Sequence, residues 1–270
     1  MLSDAQMVMT VLYGVVGGLF GLMFGSAINS MVWRLYVGRS WVKGRSECPD
    51  CGHTLAAKDL MPVLSWMVLR GKCRYCQAPI KDNPVAELVT AVAFAISVVV
   101  MMPDSAAGFV KLGFWLVMLI MLLVLAIYDA RWMILPDKII LPLAVVALAY
   151  SAAAAWMTRS PQVLVGSLEA AAIAGGSFWL LVLATRGRAM GAGDVKLVFA
   201  MGLILGVQGT AVALLLAFNT AALVGVVLIV SKRKGRKDQI PFGPYLVGGT
   251  IVAFLFSRAI VEWYLQLNGL

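Results

Sequence analysis

Two aspartates and four cysteines are the residues of this chain whose types and spacing could do chemistry. Asp194 lies in GAGDVKL, Gly191 to Leu197, with glycines before it and a lysine after it, where the chain re-enters a long apolar run. Asp129 follows the unbroken run LIMLLVLAIY. A carboxylate inside or at the edge of a bilayer is costly and requires a reason. The two are far apart in the chain, but they meet at one depth if both helices end on the same membrane face. Two carboxyls sharing a site do not both ionise readily, so one keeps its proton while the other acts as a base on a water held between them. That water can attack a peptide carbonyl while the protonated partner donates to the developing oxyanion. Taken singly, each aspartate reads as a helix cap or an interfacial charge. Gly191 and Gly193 favour chemistry, because they remove side chains beside the carboxylate and let an extended peptide backbone approach.

The four cysteines form two C-x-x-C pairs, Cys48 with Cys51 and Cys73 with Cys76, both in one polar loop. Four thiolates at that spacing can close a tetrahedral zinc site of the ribbon kind, with CPDCG forming one knuckle. Two disulfides or a redox pair are the competing readings. A cytosolic location opposes the first, and the lack of a surrounding strand–helix pattern opposes the second. His53 is expected at the surface rather than in the coordination shell, which four cysteines already fill. Such a metal is structural, holding together a loop of about 50 residues that is too small for an adequate apolar core.

The elements that must position these groups are membrane helices. Of the 270 residues 61% are hydrophobic and 13% charged, and the mean hydropathy is +0.91, which excludes a soluble domain of this length. A helix crosses the hydrocarbon with about 20 apolar residues. Eight such segments are expected near 8–32, 86–102, 112–129, 139–157, 163–184, 195–207, 210–230 and 245–263, the sixth visibly short. The chain therefore reads as an all-α polytopic membrane protein with a small cytosolic zinc-ribbon-like domain between its first two helices. Residues 1–32 form the first helix, 33–85 the zinc domain and 86–270 the membrane domain that carries both aspartates.

Lys and Arg in short loops favour the cytosol. Nineteen of the 22 fall in 33–85, around 131–138, around 186–196 and in SKRKGRK at 231–237. Only Lys111, Arg159 and Arg258 fall on the other side, so the N-terminus is expected outside and the zinc loop inside. The net charge of +9 then reflects topology and contact with lipid headgroups, not nucleic-acid binding. The first helix lacks a basic N-region and is expected to stay attached rather than act as a cleaved signal. Within it Gly17, Gly21 and Gly25 repeat as small-xxx-small, a pattern for close helix packing.

The other carboxylates have plainer readings. Asp137, the rival of Asp129, follows Pro136 at a helix start and reads as an N-cap, and Glu87 after Pro84 reads the same way. Lys196 is two residues past Asp194, does not share its helix face and is expected to snorkel to the headgroups. Glu169 suggests no role.

Together these residues resemble the type IV prepilin peptidases, bacterial members of the GxGD membrane aspartyl proteases. The matching pieces are GSAIN at 25–29, RSECPDCG at 45–52, PVLSWMVLRGKCRYC at 62–76, PVAELVTA at 84–91, YDARWMILPD at 128–137, GAGDVKL at 191–197 and PFGPYL at 241–246. Against the family's usual pattern the chain has Ala27 in GSAIN, DLMPVLSW at 59–66, and no Arg-Tyr-Pro in KDNPVAE at 81–87. The resemblance implies that Asp129 and Asp194 are catalytic and that Gly191, Gly193 and Lys196 belong to the substrate-access motif. It implies as substrates the leaders of prepilins and pseudopilins, cut after a glycine at the cytosolic face of the bacterial inner membrane. It also implies methylation of the new N-terminus with S-adenosylmethionine, although no GxGxxG unit reads as a methyl-donor site. A peptidase without methyltransferase activity, a non-catalytic pilin binder and a zinc-stabilised proton-coupled transporter are the alternatives. The last would show broken helices at matching places in two halves and polar residues through the midplane.

Overall fold

In hydrocarbon a backbone has no water to pair with and must satisfy its own polar groups, so each apolar run closes into a helix. The computed structural model has α1 (Asp4–Tyr36), α2 (Leu64–Val68), α3 (Val85–Met101), α4 (Ala106–Trp132), α5 (Asp137–Thr158), α6 (Pro161–Thr185), α7 (Ala192–Val230) and α8 (Gly243–Leu267). A 3-10 turn spans Ala57–Asp59. The structure describes all residues except 1–3, 41–43, 81–83, 189, 234, 236–237 and 268–270. Lys43, Lys81, Lys234, Arg236 and Lys237 of the basic segments thus lie outside the described residues. Six of the helices are long and apolar enough to cross a membrane, and α3, with 17 residues, is a shorter apolar helix. The expected helix centres hold, and most ends extend a few residues further, because the helix continues through the polar residues that flank each apolar run.

The chain divides into two compact units, residues 1–112 and 113–270. In the first, α1 lies against α3 along its glycines. A Cβ on Gly21 would come within 2.6 Å of the Ala91 Cα, and one on Gly25 within 2.6 Å of the Glu87 Cα, so these backbones touch. A Cβ on Gly17 would meet Val98 at 3.1 Å. The expected packing role of the three glycines is borne out. Without a hydrophobic gain from leaving lipid, such close van der Waals contact is what holds membrane helices together. Phe24 and Phe94 add a stacked pair at 5.6 Å.

In the second unit α7 is continuous helix by hydrogen bonding except at Gly206, whose φ of 67° and ψ of −176° interrupt it. A Cβ on Gly175 of α6 would meet Phe199 at 3.2 Å, while Phe178, also on α6, has its ring 6.0 Å from Phe218. A straight helix would separate residues 199 and 218 by about 28 Å, whereas residues 175 and 178 are about 4.5 Å apart along α6. The chain therefore folds back at Gly206, which splits α7 into the short sixth and longer seventh segments expected from the sequence. Leu203 lies in the interrupted turn, and its carbonyl accepts the Ser151 hydroxyl of α5 at 2.6 Å. On the same unit α4 runs antiparallel to α8. Trp115, fully buried in the first half of α4, stacks on Phe254 in the middle of α8 at 3.8 Å, while Asp129 in the last turn of α4 meets Gly243 at the start of α8.

Candidate active site and metal centre

Asp129 sits in the last turn of α4, 5% exposed, and its Oδ2 accepts the Gly243 N–H at 2.8 Å. Asp194 is the third residue of α7, half-buried, and its Oδ2 accepts the Gly191 N–H at 3.3 Å while its own N–H donates to the Gly191 carbonyl at 3.2 Å. This reciprocal pair is the backbone version of a capping box, and it sets Asp194 at the positive end of its helix. The two aspartates lie close enough for the charge of Asp129 to act on Asp194. The structure thus brings together, within one unit, two carboxylates that are distant in the sequence.

The glycines of GAGD divide between two tasks. Gly191 is exposed and supplies the capping amide. The space beside Gly193 is taken by Leu135, whose Cβ would lie 2.9 Å from an added Cβ. The absence of a side chain at Gly193 therefore lets the segment after α4 pack against GAGD, a contact the sequence did not reveal.

Three further expectations are corrected. Asp137 does not cap α5: Pro136 holds the N-cap position without a side-chain hydrogen bond, and both oxygens of Asp137 accept from the Lys196 Nζ, at 2.7 and 2.8 Å. Lys196 accordingly pairs with Asp137 rather than reaching the headgroups, tying the start of α5 to the start of α7. Glu87 reaches beyond α3 rather than serving only its own helix start. Its Oε2 accepts the Val63 N–H at 2.6 Å and so orients the backbone that enters α2, where Val63 has a φ of 60°. A carboxylate one turn inside a helix can bond its own terminus or reach across, and sequence spacing does not distinguish the two. Glu169 lies on the exposed side of α6.

The four cysteines converge, with their Sγ atoms all within 4.8 Å of one another and those of Cys48 and Cys76 at 3.8 Å. A tetrahedral zinc with bonds of about 2.3 Å to sulfur needs about 3.8 Å between thiolates, so the donor set fits that ion. Each pair is held by the same knuckle. The Cys48 N–H donates to the His53 carbonyl at 2.9 Å and the Gly52 N–H to the Cys48 carbonyl at 2.9 Å. The Cys73 N–H donates to the Ala78 carbonyl at 2.8 Å and the Gln77 N–H to the Cys73 carbonyl at 3.0 Å. Isolated bridges close each knuckle, Glu47 with Thr54 and Lys72 with Pro79. His53 stays out of the cluster and lies against Tyr75 as a tilted ring pair, centroids 3.6 Å apart.

The sequence reading missed Asp59. Its buried carboxylate accepts from the Arg74 Nε at 2.7 Å, the Tyr75 hydroxyl at 2.9 Å and the Ala56 N–H at 3.1 Å, tying the 3-10 turn to the second knuckle. The Arg74 hydrogen bond holds this carboxyl below the usual carboxylate range. Its contribution to the loop is present above the ordinary carboxylate pKa of about 4 and is lost as pH falls through the depressed value. The signal for Asp59 was weak, since a lone acid between the two C-x-x-C pairs gains its partners only once the loop closes. Gly243 was equally hidden, in a stretch quoted only for its resemblance.

Comparison with known proteins places these observations. Residues 19–101 match the bacterial peptidase A24 N-terminal domain, and residues 116–227 match the type IV leader peptidase family. A prepilin leader peptidase/N-methyltransferase of Aeromonas hydrophila is 34% identical over 272 residues, covering 92% of both chains. Proteins of the same name from Bacillus subtilis and Pseudomonas aeruginosa are each 31% identical, covering 92% and 93% of this chain and 96% and 93% of their own. No solved structure matches.

Proposed function

The chain belongs to the type IV leader peptidase family, and from that premise we propose that it removes the leaders of prepilins and pseudopilins and methylates the new N-terminus. Cleavage uses Asp129 and Asp194 as a dyad, one oxygen of each facing a shared water. One carboxyl removes a proton from that water as it attacks the scissile carbonyl while the other donates its proton to the oxyanion. As the tetrahedral intermediate collapses, the first passes the water's proton to the leaving amine and the second takes a hydroxyl proton back. The observation that carries this reading is the convergence of the two aspartates, each with Oδ2 occupied by a glycine amide. Asp137, which the sequence left as a rival, is committed to Lys196.

Membrane topology follows the basic residues: N-terminus outside, zinc loop and both aspartates at the cytosolic face of the bacterial inner membrane. The scissile bond, directly after a glycine, then lies at the membrane edge, with the hydrophobic part of the substrate beside the enzyme helices. Cys48, Cys51, Cys73 and Cys76 hold a zinc that shapes the loop and takes no part in cleavage. Residues 33–85 form the methyltransferase part, with S-adenosylmethionine as methyl donor, and 86–270 the peptidase.

The test uses purified protein with a pilin precursor. Asp129→Asn and Asp194→Asn should each lower cleavage more than about 100-fold with the fold retained. Labelled methyl transfer to a precleaved pilin should survive both substitutions. Full cleavage by either variant removes the dyad, and absence of transfer by the unmodified protein removes the second activity.

A further inference from the structure

Every α-helix leaves the first N–H groups of its backbone without a partner inside the helix. In α8 the first of these belongs to Gly243, and it donates to the buried Asp129 Oδ2 at 2.8 Å. The next residue, Pro244, has no N–H to compete for the carboxylate. The end of α8 is also the positive end of its dipole, and it points at an acidic group. A side chain at position 243 would displace the carboxylate, since a Cβ there would fall 2.7 Å from the Asp129 Oδ2 and 3.0 Å from its Cβ and Cγ. The position thus supplies an amide to the carboxylate and leaves no spare room for a Cβ beside it. Its placement is rigid, because the antiparallel α4–α8 pair is anchored further along by the Trp115–Phe254 stack.

Asp194 is treated in the same way by Gly191, through a longer bond of 3.3 Å. Among the described residues, neither Asp129 nor Asp194 has a protein hydrogen bond at Oδ1. We infer that Gly243 is a positioning residue for the peptidase reaction: its amide fixes the Asp129 side chain so that Oδ1 is turned to the shared water. The inference rests on the dyad reading above. A carboxylate free to rotate about its Cα–Cβ and Cβ–Cγ bonds would spend much of its time misaligned, and a misplacement of about 1 Å can cost roughly 100-fold in rate.

Three forms of the full-length protein test it with a pilin precursor. Gly243→Ala should lower kcat about 10- to 100-fold, leave KM within about twofold and move the pH–rate profile, since the altered contact is to a titrating group. Gly248→Ala, on the same helix but with open space where its Cβ would go, should change none of these. Replacing the amide at 243 by an ester removes the donor without adding an atom. It should reproduce the loss in kcat, and it decides the matter if the alanine variant does not fold. Unchanged kcat and pH profile in the ester form overturn the inference, as does an effect confined to KM, which would make 243 a substrate contact. Asp129→Asn runs alongside. If it still cleaves, the dyad fails and this inference with it; if it is inactive while the ester form is unimpaired, only the positioning role fails.

Discussion

Asp137 and Lys196 show how little an exposed ion pair decides beside a buried carboxylate. Both side chains are about half exposed, at 55% and 47%, and pairs of that kind are worth at most about 1 kcal/mol. Lys196→Ala is therefore expected to lower thermal stability only slightly, and Asp137→Asn to leave cleavage within about threefold of the parent. A pilin-precursor assay of the latter separates the two carboxylates that follow the same apolar run. Loss of activity as large as that of Asp129→Asn would reassign the dyad. The contrast is physical: Asp129 is 5% exposed and held by an amide, whereas Asp137 is solvated and neutralised by a flexible lysine.

Among the elements, α7 depends on a single glycine for its course. Gly206 adopts a backbone conformation that other residues reach only at a cost of about 1–3 kcal/mol, and it reverses the chain between the half that bears Asp194 and the half that packs on α8. Gly206→Val should lower the thermal midpoint of the detergent-solubilised protein by several degrees, in line with that cost. Cleavage should fall with it, because the first half of α7 sets the depth of Asp194. An unchanged midpoint would show that the reversal tolerates a side chain. The sequence located this break through the gap between two apolar runs near residues 207–210, but gave no sign that hydrogen bonding would continue up to the glycine on both sides. The glycine stripe of α1 was legible for a simpler reason: spacing by four puts small residues on one helix face whatever they pack against.

At the scale of the whole molecule, the cysteine cluster and the two aspartates fall in different compact units. The cysteine cluster lies within residues 1–112, and Asp129, Asp194, Gly191 and Gly243 all lie within 113–270. Removing the proposed zinc should therefore damage the loop before it damages peptide cleavage. In Cys48→Ser, metal content measured on the purified protein should fall to background and the loop should become sensitive to proteolysis. Methyl transfer should be lost with it, while cleavage keeps a substantial fraction of its rate. Equal loss of both activities, with the membrane helices intact, would mean that the metal contributes to cleavage.

What the sequence determined by itself were the features fixed by composition and local period: the membrane class, the helix positions, the cysteine quartet and the identity of the two costly aspartates. Each depends on residues near one another in the chain, or on a transfer cost that does not depend on neighbours. What only the tertiary structure decided was where each polar group finds its partner. Asp59 with Arg74, Glu87 with Val63, Asp137 with Lys196, Gly193 with Leu135 and Asp129 with Gly243 are all pairs distant in the chain. A hydrogen bond acts over about 3 Å, so its partner is unspecified until the helices have packed, and several caps that the local rules suggested gave way to contacts across the fold.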